Sequence, residues 1–202
     1  TTFIVGNGVV AIIDPGPNND SHLDAIIAAL DPSEVVSHIL VTHTHSDHSP
    51  LANALKERTG AKICGFAGIN NDRTRNKSQI DTKVAIEDAN FVEMEEAIQR
   101  DFIPDIPLLH QDIINGPDWT LEAIYTPGHI SNHLCFLLHE EKTMFSGDHV
   151  MGWATSVIVP PDGNMADYME SLERLLSYEL ELLRPSHGPE KKKKKTFIKA
   201  YI

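Results

Sequence analysis

The segment HILVTHTHSDH, residues 38–48, decides the fold of this chain. Residues 39–42 are apolar or β-branched, which is typical of a buried strand. This strand leads directly into four potential metal ligands within six residues: His43, His45, Asp47 and His48. Ser49 and Pro50 then fit the N-cap and the first position of a helix. The segment therefore predicts a strand, a ligand-bearing loop and a helix in that order.

Strand and helix patterns alternate on both sides of this segment. A helix is predicted after residue 20, with Ser21 as its cap, and another over 166–183, where apolar residues through Leu183 recur at steps of three and four. Further buried strands are predicted at 9–13, 61–66, 119–126, 133–138 and in the run that ends near 148. This alternation favours α/β packing, in which helices cover a sheet and ligands collect beyond the strand ends.

The length of 202 residues predicts a single domain over residues 1–202. The alternating pattern weakens between residues 67 and 109, where a polar stretch precedes an acidic, helix-like one. We expect residues 67–109 to form a surface excursion that flanks the site.

Composition excludes several classes of protein. A hydrophobic fraction of 41% and a charged fraction of 23% are ordinary for a globular domain. No apolar run approaches the roughly 18 residues of a membrane helix, so no membrane partner is expected. Cys64 and Cys135 form no Cys-x-x-Cys pair, and the start of the sequence lacks the pattern of a signal peptide. A cytoplasmic location, or a reducing compartment like the mitochondrial matrix, is therefore predicted.

Charge is distributed unevenly along the chain. The formal net charge is −12, but residues 1–190 carry 11 basic and 29 acidic residues, which gives −18. An acidic body argues weakly against a nucleic-acid partner. The lysine run Lys191 to Lys195 could form a basic rim that captures a phosphate backbone or an acidic thioester, or it could be a solvated loop.

Matching groups recur downstream of the first motif. His129 follows a predicted strand and Pro127-Gly128, Asp148 follows a strand and Ser-Gly, and His187 lies in Ser-His-Gly. Imidazole and carboxylate ligands suit zinc, iron or manganese. The alternative is a polar, solvated loop, but such a loop explains neither the clustering nor the recurrence at element ends.

Five motifs occur in one order along the chain: IIDPG at 12–16, THTHSDH at 42–48, TPGH at 126–129, SGD at 146–148 and SHG at 186–188. In this order they resemble the metallo-β-lactamase superfamily, whose fold is a four-layer αβ/βα sandwich with a metal site at one edge of its two sheets. The resemblance implies one metal on His43, His45 and His129 and a second on Asp47, His48 and His187. Asp148 would bridge them. Asp14 would support a ligand from behind or serve only as a turn residue.

The implied cofactor is two Zn²⁺ ions, with Mn or Fe as possible substitutes. Two ions that share a carboxylate can bind one water between them and lower its pKa toward neutrality, which supplies a bridging hydroxide as nucleophile. Asp47 is then the best catalytic residue, either to orient that hydroxide or to take its proton. No serine or cysteine nucleophile is required.

Departures from known branches narrow the expected function. True zinc β-lactamases typically place a cysteine at the second metal, whereas this chain offers Asp47 and Asp148, so antibiotic hydrolysis is not expected. The closest resemblance is to the beta-lactamase-like protein 2 group, in its bacterial-type hydrolase members. The C-terminal winged-helix-like region of that group is absent from residues 1–202.

The sequence therefore predicts a dinuclear metal-dependent hydrolase. Its partner would be a small-molecule ester or thioester, or single-stranded RNA cleaved at a phosphodiester. Two alternatives remain: single-strand endoribonuclease as the main activity, and a mononuclear-iron oxidoreductase of the persulfide dioxygenase type, which shares the His-x-His-x-Asp-His motif.

Overall fold

The first of two sheets carries the ligand-bearing loop. A computed structural model describes residues 1–66, 98–192 and 194–202. The first sheet contains Phe3–Val5 (β1), Val9–Ile13 (β2), Val35–Leu40 (β3), Lys62–Phe66 (β4) and Ile106–Leu108 (β5), in the spatial order β1-β2-β3-β4-β5. β1 is antiparallel to β2, and β2 to β5 are parallel.

The second sheet also has five strands in the described residues. It contains Ile113–Asn115 (β6), Thr120–Tyr125 (β7), Leu134–Leu138 (β8), Thr143–Gly147 (β9) and Leu182–Pro185 (β10), in the order β10-β9-β8-β7-β6. β6 to β9 pair antiparallel, and β10 is parallel to β9. β7, β9 and β10 consequently end at the same edge.

Four helices of the described residues cover the outer faces: Asp20–Ala29 (α1), Ala52–Thr59 (α2), Met165–Leu176 (α3) and Lys194–Lys199 (α4). The alternation along β2 shows how the layers form, because Ala11 and Ile13 pack between the sheets while Val10 and Ile12 pack beneath α1 and α2. A third cluster joins the outer face of the second sheet to α3 and α4. The predicted four-layer αβ/βα sandwich is confirmed.

One predicted helix is shorter than its sequence pattern indicates. α3 ends at Leu176, not at residue 183, and Leu182–Pro185 forms β10 beside β9. Leu183 is fully buried in this strand, so its apolar character serves strand packing. Leucine spacing alone cannot distinguish a continued helix from a strand here, because the buried face of an amphipathic helix and a buried strand both consist of apolar residues.

Two boundaries also differ from prediction. Asn19, not Ser21, caps α1, since its side chain accepts a hydrogen bond from the His22 amide. Ser49 and Pro50 are not the N-cap and the first residue of α2, because the regular helix begins at Ala52.

Most of the predicted surface excursion, residues 67–97, lies outside the described residues. Its C-terminal part is not an excursion, because Ile106–Leu108 pairs with β4 as an edge strand. Ile98 forms an isolated β-bridge with His45, which brings this end of the segment against the ligand loop. In the described part of the chain, no helix is long and apolar enough to cross a membrane.

Gly128 lets the loop after β7 approach α3 and offers a test of this packing. A Cβ at Gly128 would lie 2.3 Å from Tyr168 Cα, whereas one at Gly60 would meet no atom within 4 Å, and both glycines have positive φ. We expect Gly60→Ala to lower the free energy of unfolding by about 1 kcal/mol through backbone strain alone. Gly128→Ala should lower it by about 3 kcal/mol, since overpacking is added. Urea unfolding measures both, and equal losses would contradict the close approach.

Candidate metal centre

The Asp14 carboxylate organises the site from behind the ligands. Asp14 follows β2 with a left-handed backbone (φ 50°) and is 1% exposed. It accepts hydrogen bonds from the Thr42 amide (2.8 Å), the Thr42 hydroxyl (2.8 Å) and the Ser186 hydroxyl (3.2 Å). His48 Nδ1 lies 2.8 Å from the same carboxylate. Asp14 therefore does what the resemblance implies: it holds His48 and supports the loop that carries His43.

The ring orientation of His43 follows from the same network. Thr42 Oγ1 uses its hydrogen toward Asp14, so it accepts a hydrogen bond from His43 Nδ1, 3.0 Å away. That contact places the hydrogen of the neutral ring on Nδ1 and leaves a lone pair on Nε2. His43 thus presents an acceptor nitrogen to the centre.

His129 is oriented in the same way by a different element. Its Nδ1 donates to the carbonyl oxygen of Val157, which can only accept, so the Nε2 lone pair also faces the centre. His45 Nδ1 lies 3.0 Å from both His43 Nε2 and His129 Nε2. Three ring nitrogens from two loops therefore converge on one point.

Burial keeps these three imidazoles neutral. It lowers the pKa of His43 well below the ordinary value and the pKa of His45 to about 4, and neighbouring histidines add to both shifts. The pKa of His129 is also lowered by burial. Neutral imidazole is the form that binds a metal ion.

A second cluster adjoins the first and contains carboxylates. Asp47 Oδ2 lies 3.1 Å from His187 Nε2 and 3.3 Å from His48 Nε2. Hydrogen bonding from His48 holds the pKa of Asp47 well below its usual value. Asp47 is half-exposed and His48 is buried, so this cluster opens to solvent on the Asp47 side.

Asp148, at the end of β9, lies between the two clusters. Its Oδ1 is 3.3 Å from His48 Nε2 and 3.4 Å from His187 Nε2, while its Oδ2 is 3.9 Å from His129 Nε2. One oxygen thus faces each cluster, which is the arrangement of a bridging carboxylate. The structure brings together all seven residues predicted from sequence.

Two observations test whether this donor set fits metal ions. His48 Nε2 and Asp148 Oδ1 are buried and make no hydrogen bond of good geometry among the described residues, although the two atoms lie only 3.3 Å apart. Burial lowers the pKa of His48, but Asp14, Asp148 and Asp47 outweigh it and raise the pKa well above its usual value. Carboxylates packed this closely around an imidazole need a cation between them. The donors are imidazole nitrogen and carboxylate oxygen, so they fit zinc, manganese or iron.

His133 supports Asp148 from behind the two clusters. The Asp148 amide donates to His133 Nε2 (3.2 Å), and His133 Nδ1 lies 2.9 Å from Thr126 Oγ1. His149, by contrast, packs in the core against the Tyr168 ring, with centroids 4.6 Å apart. Proximity in sequence to a ligand therefore did not distinguish a supporting histidine from a packing one.

The loop between β9 and α3 fixes several parts of the site. The Gly152 amide donates to the His187 carbonyl (2.6 Å), and the Ser156 hydroxyl donates to the Asp148 carbonyl (2.6 Å). The Tyr201 hydroxyl reaches the carbonyls of Met151 and Ala154, each at 2.6 Å. Sequence reasoning missed these contacts, because backbone carbonyls leave no signature in the side-chain pattern.

An apolar cleft of about 310 Å³ opens beside the first cluster. His45 and His129 form its inner end, and Arg100 and Asp162 add polar groups. The remaining walls are apolar or backbone, formed by Ile98, Ile130, Val157, Val159, Pro160, Pro161 and Gly163. Trp153, in the loop after Asp148, is 73% exposed and does not line this cleft.

The sequence of most of this chain matches a known protein family. A family model described as the metallo-beta-lactamase superfamily matches residues 1–187. The chain is similar to the solved structure of a metallo-beta-lactamase family protein from Thermus thermophilus, with a TM-score of 0.73 and 19% identity, over 98% of this chain and 72% of that one. It is also similar to the structure of ETHE1 from Myxococcus xanthus, with a TM-score of 0.65 and 22% identity, over 93% of this chain and 70% of that one. These likenesses show the fold.

Two curated relatives illustrate how much of a longer protein this chain matches. The chain is 29% identical over 203 residues to "Lactamase-like protein adaB" of Aspergillus niger, covering all of this chain and 53% of that protein. It is 31% identical over 189 residues to "Atrochrysone carboxyl ACP thioesterase dmxR1" of Cryptosporiopsis sp. (strain 8999), covering 93% of this chain and 48% of that protein. The chain thus spans about half the length of these relatives.

The Asp14 network generates a prediction about the metal-free protein. In Asp14→Asn, an amide N–H₂ replaces one acceptor oxygen, so at least one buried donor loses its partner. We expect a loss of about 2–4 kcal/mol in the free energy of unfolding, measured by urea denaturation after chelation. Ser186→Ala is the control, because it removes only the 3.2 Å hydrogen bond and should cost about 1 kcal/mol. Equal losses would show that Asp14 does not organise the site.

Proposed function

The chain belongs to the metallo-beta-lactamase superfamily, and from that premise and the site geometry we propose that it is a dinuclear metal-dependent thioester hydrolase. His43, His45 and His129 would hold one cation, and Asp47, His48 and His187 the other, with Asp148 shared. The complete second cluster supports two cations rather than one. The narrower resemblance to the beta-lactamase-like protein 2 group stays a prediction.

Our choice of an acyl thioester as the substrate rests on the apolar cleft. It begins at His45 and His129 and is walled by aliphatic side chains and two prolines. An acyl chain or a planar acyl group buries apolar surface there, at about 25 cal/mol per Å², while its carbonyl lies next to the cations. A ribonucleotide would instead place a charged, hydrated backbone against apolar walls. The cleft therefore favours an acyl thioester over RNA.

A relative's name supports the same class. The Cryptosporiopsis relative is named as a thioesterase that acts on an acyl group held by an acyl carrier protein (ACP). Because the chain spans only 48% of that protein, the shared activity is part of our proposal. We propose that this chain also hydrolyses a thioester presented by a carrier.

The chain's own groups would position the reactants. When bound, the two cations supply Lewis acidity to the substrate carbonyl and bring the pKa of water toward neutrality. Thr42 and Val157 fix the hydrogens of His43 and His129 on Nδ1, so that both Nε2 atoms stay available. The cleft walls exclude bulk water from the acyl group, while the half-exposed Asp47 side leaves a path for the thiol to depart.

Asp47 orients water in this proposal and does not store its proton. As a ligand of the second cation, Asp47 would stay ionised, so its carboxylate would accept a hydrogen bond from water near neutral pH but would be a weak base. Of the two roles predicted for Asp47, orientation is therefore the one we propose. Attack of water on the carbonyl carbon then breaks the C–S bond and yields a carboxylic acid and a thiol.

Neither cysteine competes as a nucleophile. Cys64 and Cys135 are both fully buried, and burial raises the pKa of each thiol to about 12. A thiol with such a pKa is protonated at neutral pH and unreactive. Hydrolysis without a covalent intermediate on cysteine is consistent with both positions.

The bridging position of Asp148 predicts the outcome of its removal. Asp148→Ala should abolish turnover and lower the bound metal toward one ion or none per chain, because both clusters lose a shared ligand. Elemental analysis of protein purified without added metal measures this. Asp118→Ala, an exposed residue remote from the site, is the control. Unchanged activity in Asp148→Ala would contradict the site, and one iron with no zinc in the unaltered protein would favour the iron oxidoreductase.

The cleft predicts which substrates are cleaved. A parallel assay with an octanoyl thioester, an acetyl thioester, a lactone, a cephalosporin and labelled single-stranded RNA should give turnover of the thioesters. Val159→Trp, which fills the cleft, should lower kcat/KM for the octanoyl thioester by at least about tenfold and leave the acetyl thioester nearly unchanged. Val35→Trp, on an exposed strand end, is the matched control. Cleavage of RNA alone, lost in Asp47→Ala, would overturn the thioesterase proposal.

A further inference from the structure

The last twelve residues form a basic segment on an acidic protein. Residues 191–202 contain six lysines and no acidic residue, whereas residues 1–190 carry a net charge of −18. A basic segment on an acidic protein attracts an acidic partner to that segment and not to the rest of the surface, so it can orient the partner.

Helix α4 has an inner and an outer face that differ in chemistry. Ile198 is fully buried against α3, and Phe197 and Tyr201 pack with it. Lys195 and Lys199, four residues apart, are exposed and therefore share the opposite face. Lys192, just before the helix, is exposed as well. We call Lys192, Lys195 and Lys199 the lysine face.

Contacts with backbone carbonyls connect the chain after α4 to His187 of the second cluster. The hydroxyl oxygen of Tyr201, two residues after Lys199, lies 2.6 Å from the carbonyl oxygens of both Met151 and Ala154, which share its one hydrogen. Between these carbonyls, the Gly152 amide donates to the His187 carbonyl (2.6 Å). Only a short run of contacts thus separates α4 from a residue of the second cluster.

Other charged side chains of the described residues do not engage the lysine face. Lys191, at the start of the segment, is already engaged, since its ammonium lies 4.8 Å from the Phe197 ring centroid. Among the described residues, no ion pair involves Lys192, Lys195 or Lys199. Exposed lysines that do not stabilise the fold are suited to long-range attraction.

We propose that the lysine face docks an acidic acyl carrier protein, which delivers its thioester to the centre past His187. The inference rests on the proposed thioesterase function. The acyl group would enter the apolar cleft on the His129 side, and the carrier would remain outside on the α4 side, so the two sites flank the cations. Charge complementarity would raise the association rate by about tenfold or more and make it depend on salt.

The test compares two double variants with the same net charge. Lys195→Glu/Lys199→Glu alters the lysine face, and Arg58→Glu/Lys62→Glu changes two exposed residues on the other side of the sandwich. The substrates are octanoyl thioesters of a bacterial acyl carrier protein and of N-acetylcysteamine. We expect the first variant to lower kcat/KM for the carrier substrate at least about tenfold and to leave the small thioester within about twofold. The second variant should change neither.

A binding measurement with a carrier protein that cannot be hydrolysed tests docking separately from the reaction. Fluorescence anisotropy with labelled, unacylated carrier protein should show binding at about 50 mM salt that weakens at about 500 mM and is lost in Lys195→Glu/Lys199→Glu. Equal effects of the two double variants, or no effect of the first, would overturn the docking proposal. Loss of single-stranded RNA binding with carrier binding unchanged would overturn it in favour of nucleic acid. Carrier binding without hydrolysis of either thioester would instead overturn the proposed function.

Discussion

The Asp14 carboxylate is the constraint on which the metal centre depends. It is almost completely buried and accepts hydrogen bonds from the chain after β3 and from Ser186 after β10, which belong to different sheets. A buried anion is stable only when its donors are in place, so folding must bring the two sheet edges into one arrangement before Asp14 is satisfied. His48 is held by the same oxygen that receives Ser186. The geometry of the second cluster is therefore a consequence of how the sheets pack.

The convergence of the candidate ligands was easier to predict from sequence than the contacts that support them. All seven ligand candidates follow strands or lie in short motifs, and parallel strands collect their ends at one edge, so their convergence could be inferred. Val157 and Tyr201 were not foreseeable, because one acts through a backbone carbonyl and the other across about 50 residues of chain. The end of α3 was misplaced because leucines at residues 180 and 183 fit a helix stripe and a buried strand equally well.

Substrate recognition and chemistry are divided between loops of different character. The ligands lie on short turns after strands, which are fixed by buried hydrogen bonds. The cleft lies between residues 98–100 and 157–163, and none of these residues is a candidate ligand. Under the proposed function, changes in the cleft would alter the acyl preference without moving a candidate ligand, which is how one sandwich can serve several reactions. Val157 joins the two parts, since its carbonyl orients His129 while its side chain lines the cleft.

The two buried thiols have a practical consequence for the durability of the centre. Cys135 lies behind the site, 3.3 Å from Thr126 Oγ1, and within the described part of the chain neither it nor Cys64 belongs to a cluster of potential metal ligands. A centre built from imidazole and carboxylate contains no thiolate for peroxide to oxidise or for iodoacetamide to alkylate. Sensitivity to chelators combined with resistance to alkylating reagents would therefore be its chemical signature, and inhibitors that carry thiol-reactive groups would find no target in it.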